Sequence, residues 1–558
     1  MRWHRGLVIP LLGLLLAGVV IADRVAWASV AEWREDQATN LWLGYTRAPS
    51  QVPVGLISSI GLPNPNGLVL ASELLSRLPN AWWVSAFLGV LQAALLVWLC
   101  WLLAGPSRLF LQIVGPLLAS VLLRSCSVEL VLHWTLIPVN LLFFAGIVMY
   151  LRRGTAWALP LLTTALVLGP AIYLAGALNS ICYALVIIVV VISKPPRGSW
   201  RAHAVPLTIS LGIVALSVWL TWIPYFREVG PGGLRVASGF SGLPAAERLI
   251  AAAESILRFP LWSVARFADF GTVPQLPPLQ VGKRVQSARV YSAYLWSIRM
   301  IMLQGVLSYL LIAFAAIRAV ARRLPIHRLV APAAGLSGAV QALMLLFVML
   351  SYAIGPLLGA ELWARGERLD EAVQFIPFLL ILWFGAPLVV DLPERLRKTA
   401  GVLTGGIAIF VSALSMLLGF AIVRNNLIYQ GRALIADVPL RDKMNAVKFI
   451  ATDWKTRSAS PQIPVDYDIA GRRWARVPRF GKHYEKWYPA PYTLGRIYDY
   501  LLLRQYGLWN SQEGIQAREF GNGRYLLTYA FEPPPAAAGH PVRNYLFGRL
   551  RVTVVSDR

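Results

Sequence analysis

Charge is scarce in this chain, and acidic charge is the scarcest. Asp, Glu, Lys and Arg make up only 14% of the 558 residues, against about 25% in ordinary soluble domains. Apolar residues reach 57% and gather in runs of about 17 residues or more, long enough to enter a bilayer. A water-soluble globular protein is therefore excluded. The 27 acidic residues face 52 basic ones, a net charge of +25. In a membrane protein such an excess marks the sidedness of loops and attraction to lipid headgroups, so it does not point to nucleic acid. Cysteine is nearly absent: Cys100, Cys126 and Cys182 lie in or beside apolar segments without paired spacing, which indicates neither a disulfide framework nor a zinc site. No HExxH, CxxC, Walker A or nucleophile-elbow pattern occurs, and the zinc-hydrolase, P-loop ATPase and serine-hydrolase readings lose their usual support.

What is present is a series of apolar spans. The opening MRWHRGLVIPLLGLLLAGVVIA reads as a retained first helix, although Ala26-Trp27-Ala28 also resembles a signal-peptidase site. Further spans fall at roughly 81–104, 109–123, 128–150, 155–174, 177–193, 204–223, 299–320, 329–350, 372–391 and 400–423, each near the length a 30 Å hydrocarbon layer requires. The expected fold is mainly α, a polytopic membrane protein of about eleven transmembrane helices.

Positive charge in short loops sets the orientation. With the N-terminus inside, inner connections hold Arg2, Arg5, Arg108, Arg152, Arg153, Lys194, Arg197, Arg201, Arg318, Arg322, Arg323, Arg328, Arg395, Arg397 and Lys398. Residues 23–80, 224–298 and 424–558 then fall outside. Residues 1–423 form a transmembrane domain carrying the first two of these as outer loops, and 424–558 a C-terminal exoplasmic domain. The first outer loop contains the turn-rich GLPNPNG and then an amphipathic LVLASELLSRL helix. The second contains Gly230-Pro231-Gly232-Gly233, read as a flexible loop, and the helix-like AAERLIAAAESILRF. The last stretch joins RYLLTYAF and RLRVTVV strand patterns with a helix-like IYDYLLLRQYGL, a small α+β domain.

Three charged clusters can carry chemistry. Glu32-Trp33-Arg34-Glu35-Asp36-Gln37-Ala38 lies just beyond the first helix; its carboxylates suit a general base beside a membrane-bound substrate, and a solvated, internally paired loop is the alternative. Arg124-Ser125-Cys126-Ser127-Val128-Glu129, with His133 one turn later, sits at the outer rim of two spans. Ionisable groups there are costly and often functional, whereas an Arg124 to Glu129 pair, headgroup snorkelling and an interhelical His133 are the structural readings. The outer run from Glu361 to Glu371 contains Arg365 and Arg368, whose guanidiniums suit bidentate contact with a lipid phosphate; a solvated loop is again the alternative.

The arrangement resembles the GT-C glycosyltransferases, in particular bacterial relatives of protein mannosyltransferase and of lipid A aminoarabinose transferase. That family places an apolar residue before Asp-Glu-Ala in a large first outer loop, where this chain has Trp33 and then Asp36-Gln37-Ala38. It follows this with a proline-containing segment and an amphipathic helix before the second span, where this chain has GLPNPNGLVLASELLSRLPNAWWVS. The layout extends over roughly residues 1–400 and the motif detail over 30–90. Gln37 stands in place of the acidic partner, and the family's Pro-Pro-Leu motif is absent.

The resemblance implies transfer of a sugar from a polyprenyl-phosphate donor to a glycan, lipid or protein acceptor at the outer face of the plasma (inner) membrane. It makes Asp36 the catalytic base and Glu129 a second catalytic carboxylate, with Glu35, Arg124, Arg365 and Arg368 binding substrate. It names no metal-ligating residue and requires no cofactor, while leaving room for a divalent metal ion. Aromatics of the last stretch, Trp454, Trp474, Trp487, Tyr488 and Tyr492, fit either a sugar-stacking platform or a domain core. A secondary transporter and an outer-face polysaccharide polymerase are the competing readings. The first normally shows repeats and midplane broken helices, and no repeat is visible here.

Overall fold

The structure is a computed structural model that describes residues 2–29, 35–46, 52–57, 63–104, 135–153, 156–174, 176–193, 200–237, 244–250, 410–419, 440–468, 496–510, 524–530, 541–548 and 550–555, with isolated positions between them. For Glu35, Asp36 and Gln37 the description extends to the backbone alone. The expected spans at 109–123, 299–320, 329–350 and 372–391 lie, but for Met300, outside the described residues.

The described part is mostly helical. Helix α1 (Arg2–Ala28) packs on α4 (Ala81–Ala104), and both are built from nearly unbroken apolar sequence. Asn80 starts α4 by accepting the Trp83 N–H on its side-chain oxygen at 3.2 Å, the usual service of an asparagine at a helix N-terminus. Helices α5 (Leu136–Arg153), α6 (Ala158–Ile172), α7 (Gly176–Ser193) and α8 (Trp200–Ser217) follow, with α5 against α4 and α6, and α6 against α7 and α8. Polar groups meet inside this bundle. Tyr183 of α7 donates to Asn140 of α5 and stacks on Phe143 at 4.1 Å, while Ser180 donates to the Leu166 carbonyl at 2.6 Å.

A π-helical turn (Val218–Trp222) joins α8 to α9 (Ile223–Ala237), which breaks at Gly230 with φ 68°. The resulting apolar stretch His203–Gly230 has 28 residues, and Ala81–Leu102 has 22; among the described residues these two are long and apolar enough to cross a membrane. Leu211 and Trp219 on the first of them are more than half exposed, as a lipid-facing surface would be. Two helices among the described residues meet the test of length and apolar composition, and the expected count of about eleven is not confirmed by them.

Between α1 and α4 lies the stretch expected from sequence to be the first outer loop. Helix α2 (Glu35–Thr46) crosses α3 (Gly67–Ser76), and strands β1 (Val54–Ile57) and β2 (Pro63–Pro65) pair antiparallel between them. The α2–α3 crossing is close at Gly44, where a Cβ would stand 2.6 Å from the backbone nitrogen of Glu73. The polar Asn64 and Asn66 of the PNPNG run are both buried. Asn64 accepts the Leu174 N–H at 3.0 Å, and Asn66 donates to the carbonyls of Val52 at 3.2 Å and of Leu220, in the π-helical turn, at 3.3 Å. The expected turn thus clasps the ends of the helical bundle.

The C-terminal stretch is α+β. Helix α10 (Leu440–Arg457) precedes β3 (Gln462–Ile463) and β4 (Val465–Asp468); α11 (Arg496–Tyr506), β5 (Trp509–Asn510), β6 (Tyr525–Tyr529), β7 (Val542–Phe547) and β8 (Leu550–Val555) follow. One sheet has the order β4-β6-β8-β7, with β4 and β6 parallel and the other pairs antiparallel; β3 and β5 form a separate parallel pair. Strand β8 is buried along nearly its whole length, as its LRVTVV run implies for a central strand. Phe449 of α10 packs on Tyr545 and Phe547.

Candidate functional site

The acidic segment after α1 is held from two sides. Trp33 is almost fully buried, and its indole N–H donates to the Ser85 hydroxyl early in α4 at 2.8 Å. On the other side stands the first turn of α10. The first N–H groups of a helix have no partner within it, and here they are spent on this segment: Leu440 N–H donates to the Ala31 carbonyl and Arg441 N–H to the Ser29 carbonyl, both at 3.1 Å. Lys443, one turn on and 5% exposed, adds its ammonium to the Trp33 carbonyl. Carbonyls at 29, 31 and 33 are therefore gripped by one helical turn that lies more than 400 positions further along the chain.

Two residues after Trp33, α2 begins with Glu35 and Asp36. A helix N-terminus stabilises negative charge, so two carboxylates at its head agree with local structure. The rest of α2 is fixed by packing: Ala38, Leu41, Trp42 and Leu43 are buried, and α2 lies between α3 and α11. From α11, Arg504 donates to the carbonyls of Ser76 and Arg77 at the end of α3, each at 2.9 Å.

Near the C-terminal end of α1 stand Asp23 and Arg24, 3.3 Å apart with 0% and 1% of their side chains exposed. Sequence reasoning assigned them no role. The signal was available as Asp-Arg embedded in IADRVAW, but a loop was expected to begin there, whereas α1 continues to Ala28.

No protein-family model matches the chain, and no curated protein matches it. Among solved structures, ArnT from Cupriavidus metallidurans bound to undecaprenyl phosphate aligns with 100% of this chain and 98% of its own, at a TM-score of 0.42 and 13% sequence identity. A similarity of that degree assigns no role to any residue of this chain.

Of the residues expected to form the site, Glu35 and Asp36 are adjacent at the head of α2. Arg124, Glu129, His133, Arg365 and Arg368 lie outside the described residues, as do Trp474, Trp487, Tyr488 and Tyr492. Trp454 is buried, donates its indole N–H to the Ser460 carbonyl at 2.9 Å and meets Tyr525 edge to face, which places it in the core of the C-terminal stretch. Among the described residues no group of three or more His, Cys, Asp or Glu is arranged to hold a metal ion.

Proposed function

We propose that the protein is a membrane glycosyltransferase that moves a sugar from a polyprenyl-phosphate donor to an acceptor at the outer face of the plasma membrane. The observation that carries this reading is the anchoring of Trp33. Its hydrogen bond to Ser85 ties the backbone that leads into Glu35 and Asp36 to the end of a long apolar helix, which in this reading is the level of the phosphate of a lipid-borne sugar. The Trp33 to Ala38 sequence adds the GT-C resemblance.

In the proposed reaction Asp36 takes the proton of an acceptor hydroxyl or amine as that group attacks the anomeric carbon. The bond from that carbon to the phosphate oxygen breaks, and polyprenyl phosphate leaves with the electron pair. Glu129 is the second carboxylate, and Glu35, Arg124, Arg365 and Arg368 bind donor, the guanidiniums by charge-assisted contact with phosphate. No step calls for a nucleotide.

The test is to incubate the purified full chain with polyprenyl-phosphate-linked hexoses and pentoses, in parallel with nucleotide sugars, and to measure released polyprenyl phosphate. Release from a lipid-linked donor alone is expected. Transport of the intact donor without cleavage, or reaction with nucleotide sugars only, overturns the assignment.

A further inference from the structure

A buried ammonium is costly unless it is held by polar partners, and Lys443, 5% exposed, donates to a main-chain carbonyl. The carbonyl belongs to Trp33, the residue whose indole is tied to Ser85 and which precedes Glu35 by two positions. Leu440 and Arg441 hold the carbonyls of Ala31 and Ser29 from the same turn. We propose that Lys443 is a positioning residue through which the C-terminal stretch fixes the 29–33 segment and so sets where the head of α2 stands. The effect on turnover rests on the transferase reading above; the mechanical effect on the segment does not.

This assigns the C-terminal stretch a part in the chemistry it does not itself perform. Trp33 is held at its indole by α4 and at its carbonyl by α10, so a shift of α10 moves the backbone that leads into Glu35 and Asp36. The contact joins residues 410 positions apart and requires both stretches to lie on one side of the membrane.

Amide hydrogen exchange on the full chain in lipid nanodiscs separates the two parts of the proposal. In Lys443→Met, exchange of peptides covering 31–46 should rise about 10- to 100-fold, the factor that one charge-assisted hydrogen bond is worth, while β6 and β8 exchange as in wild type. Lys443→Arg, which keeps a charged donor, should restore most of the protection. Ser85→Ala should loosen the same peptides from the other side. With a lipid-linked donor, Lys443→Met should lower kcat by a similar factor and, because Glu35 moves with Asp36, raise the donor KM as well, and Lys443→Arg should recover both. If Lys443→Met does not accumulate, Lys443→Gln, uncharged but still polar, carries the comparison.

Unchanged exchange at 31–46 overturns the proposal. Raised exchange with unaltered kcat also overturns it, because the clamp would then position nothing. A wild-type chain that cleaves no lipid-linked donor defeats the transferase reading instead, and the exchange data alone then decide whether Lys443 holds the segment.

Discussion

The Arg504 guanidinium lies 5.3 Å from the ring centre of Tyr45, so a residue of α11 covers an aromatic near the end of α2 while its nitrogens close the end of α3. The last carbonyls of a helix lack intrahelical donors, and a basic side chain near them is a favourable partner. Here the partner comes from the C-terminal stretch, and Tyr500, four residues before Arg504, meets Tyr45 edge to face at 6.5 Å.

Arg504→Ala should therefore release α3 and α2 together. Loss of two hydrogen bonds from a charged donor that is partly exposed should cost roughly 2 kcal/mol, read as a lower thermal midpoint in detergent. Arg504→Lys should recover only part of it, since an ammonium cannot span both carbonyls as a planar guanidinium does. Equal stability of all three proteins would mean that the contact holds nothing.

The extent to which the sequence reveals this architecture follows the range of the forces involved. Helix α4 is legible because its apolar run is a local signal, and α3, β6, β8 and α11 fall within the amphipathic, strand-like and helix-like runs read from sequence. Helix α2 is not: EDQATNLWLGYT is short and partly polar, and α3, α11 and the Trp33 anchor supply what its own sequence does not. PNPNG reads as a turn, yet the partners of its asparagines stand 110 and 154 residues away. Neither those contacts nor Lys443 to Trp33 leaves a periodic trace. At the candidate site, Glu35 and Asp36 are visible by residue type and place, and the clamp that holds them is not.

Asn66→Ala should expose the importance of the clasp. It leaves the carbonyls of Val52 and Leu220 without the amide that bonds them, a buried loss worth about 1–3 kcal/mol. Asn66→Asp should do no better, because a carboxylate offers no N–H to either carbonyl. Thermal unfolding of the three proteins in the same detergent measures this, and an Asp variant as stable as wild type would refute the donor role.

Gly548 turns the β7–β8 hairpin at φ 59°, and a Cβ there would overlap the Asp442 carboxylate. Gly548→Ala combines backbone strain of roughly 1–3 kcal/mol with that overlap. The expected outcome is a destabilised C-terminal stretch, seen as faster hydrogen exchange in β7 and β8. Because Asp442 lies in the first turn of α10, protection of residues 31–46 should fall as well.

Alkaline pH should loosen the same region. Burial, then the Asp499 charge and hydrogen bond, push the Tyr467 phenol well above its ordinary value, against a smaller opposing effect of Asn510. Burial and the Asp453 hydrogen bond raise Tyr525 likewise. A group that binds its proton more tightly when folded contributes fully below its unfolded pKa, about 10 for tyrosine. That contribution is lost as pH rises from there through the folded value. Stability should thus be flat through neutral pH and fall above about 10, tracked by tyrosinate absorbance and circular dichroism together. Tyr467→Phe should be weaker at neutral pH by about 1 kcal/mol yet lose less on going alkaline. A steeper alkaline loss in that variant would contradict the direction of the shift.

The acidic pair at the head of α2 allows a sharper comparison, because Glu35 and Asp36 are adjacent, equally charged and equally placed to favour the helix N-terminus. If they serve only that purpose, Glu35→Gln and Asp36→Asn should have the same small effect. The proposed chemistry separates them. Asp36→Asn keeps the shape of the side chain and removes the proton acceptor, so turnover of a lipid-linked donor should fall about 10²–10⁴-fold while protein level, thermal midpoint and donor binding hold. Asp36→Glu should retain a trace of activity, with the carboxylate displaced by one methylene. Glu35→Gln, assigned to substrate binding, should act chiefly on the donor KM. Parallel kinetics on the three variants decide the matter: equal, small losses for Asp36→Asn and Glu35→Gln would remove Asp36 from the role of base and direct the same test to Glu129.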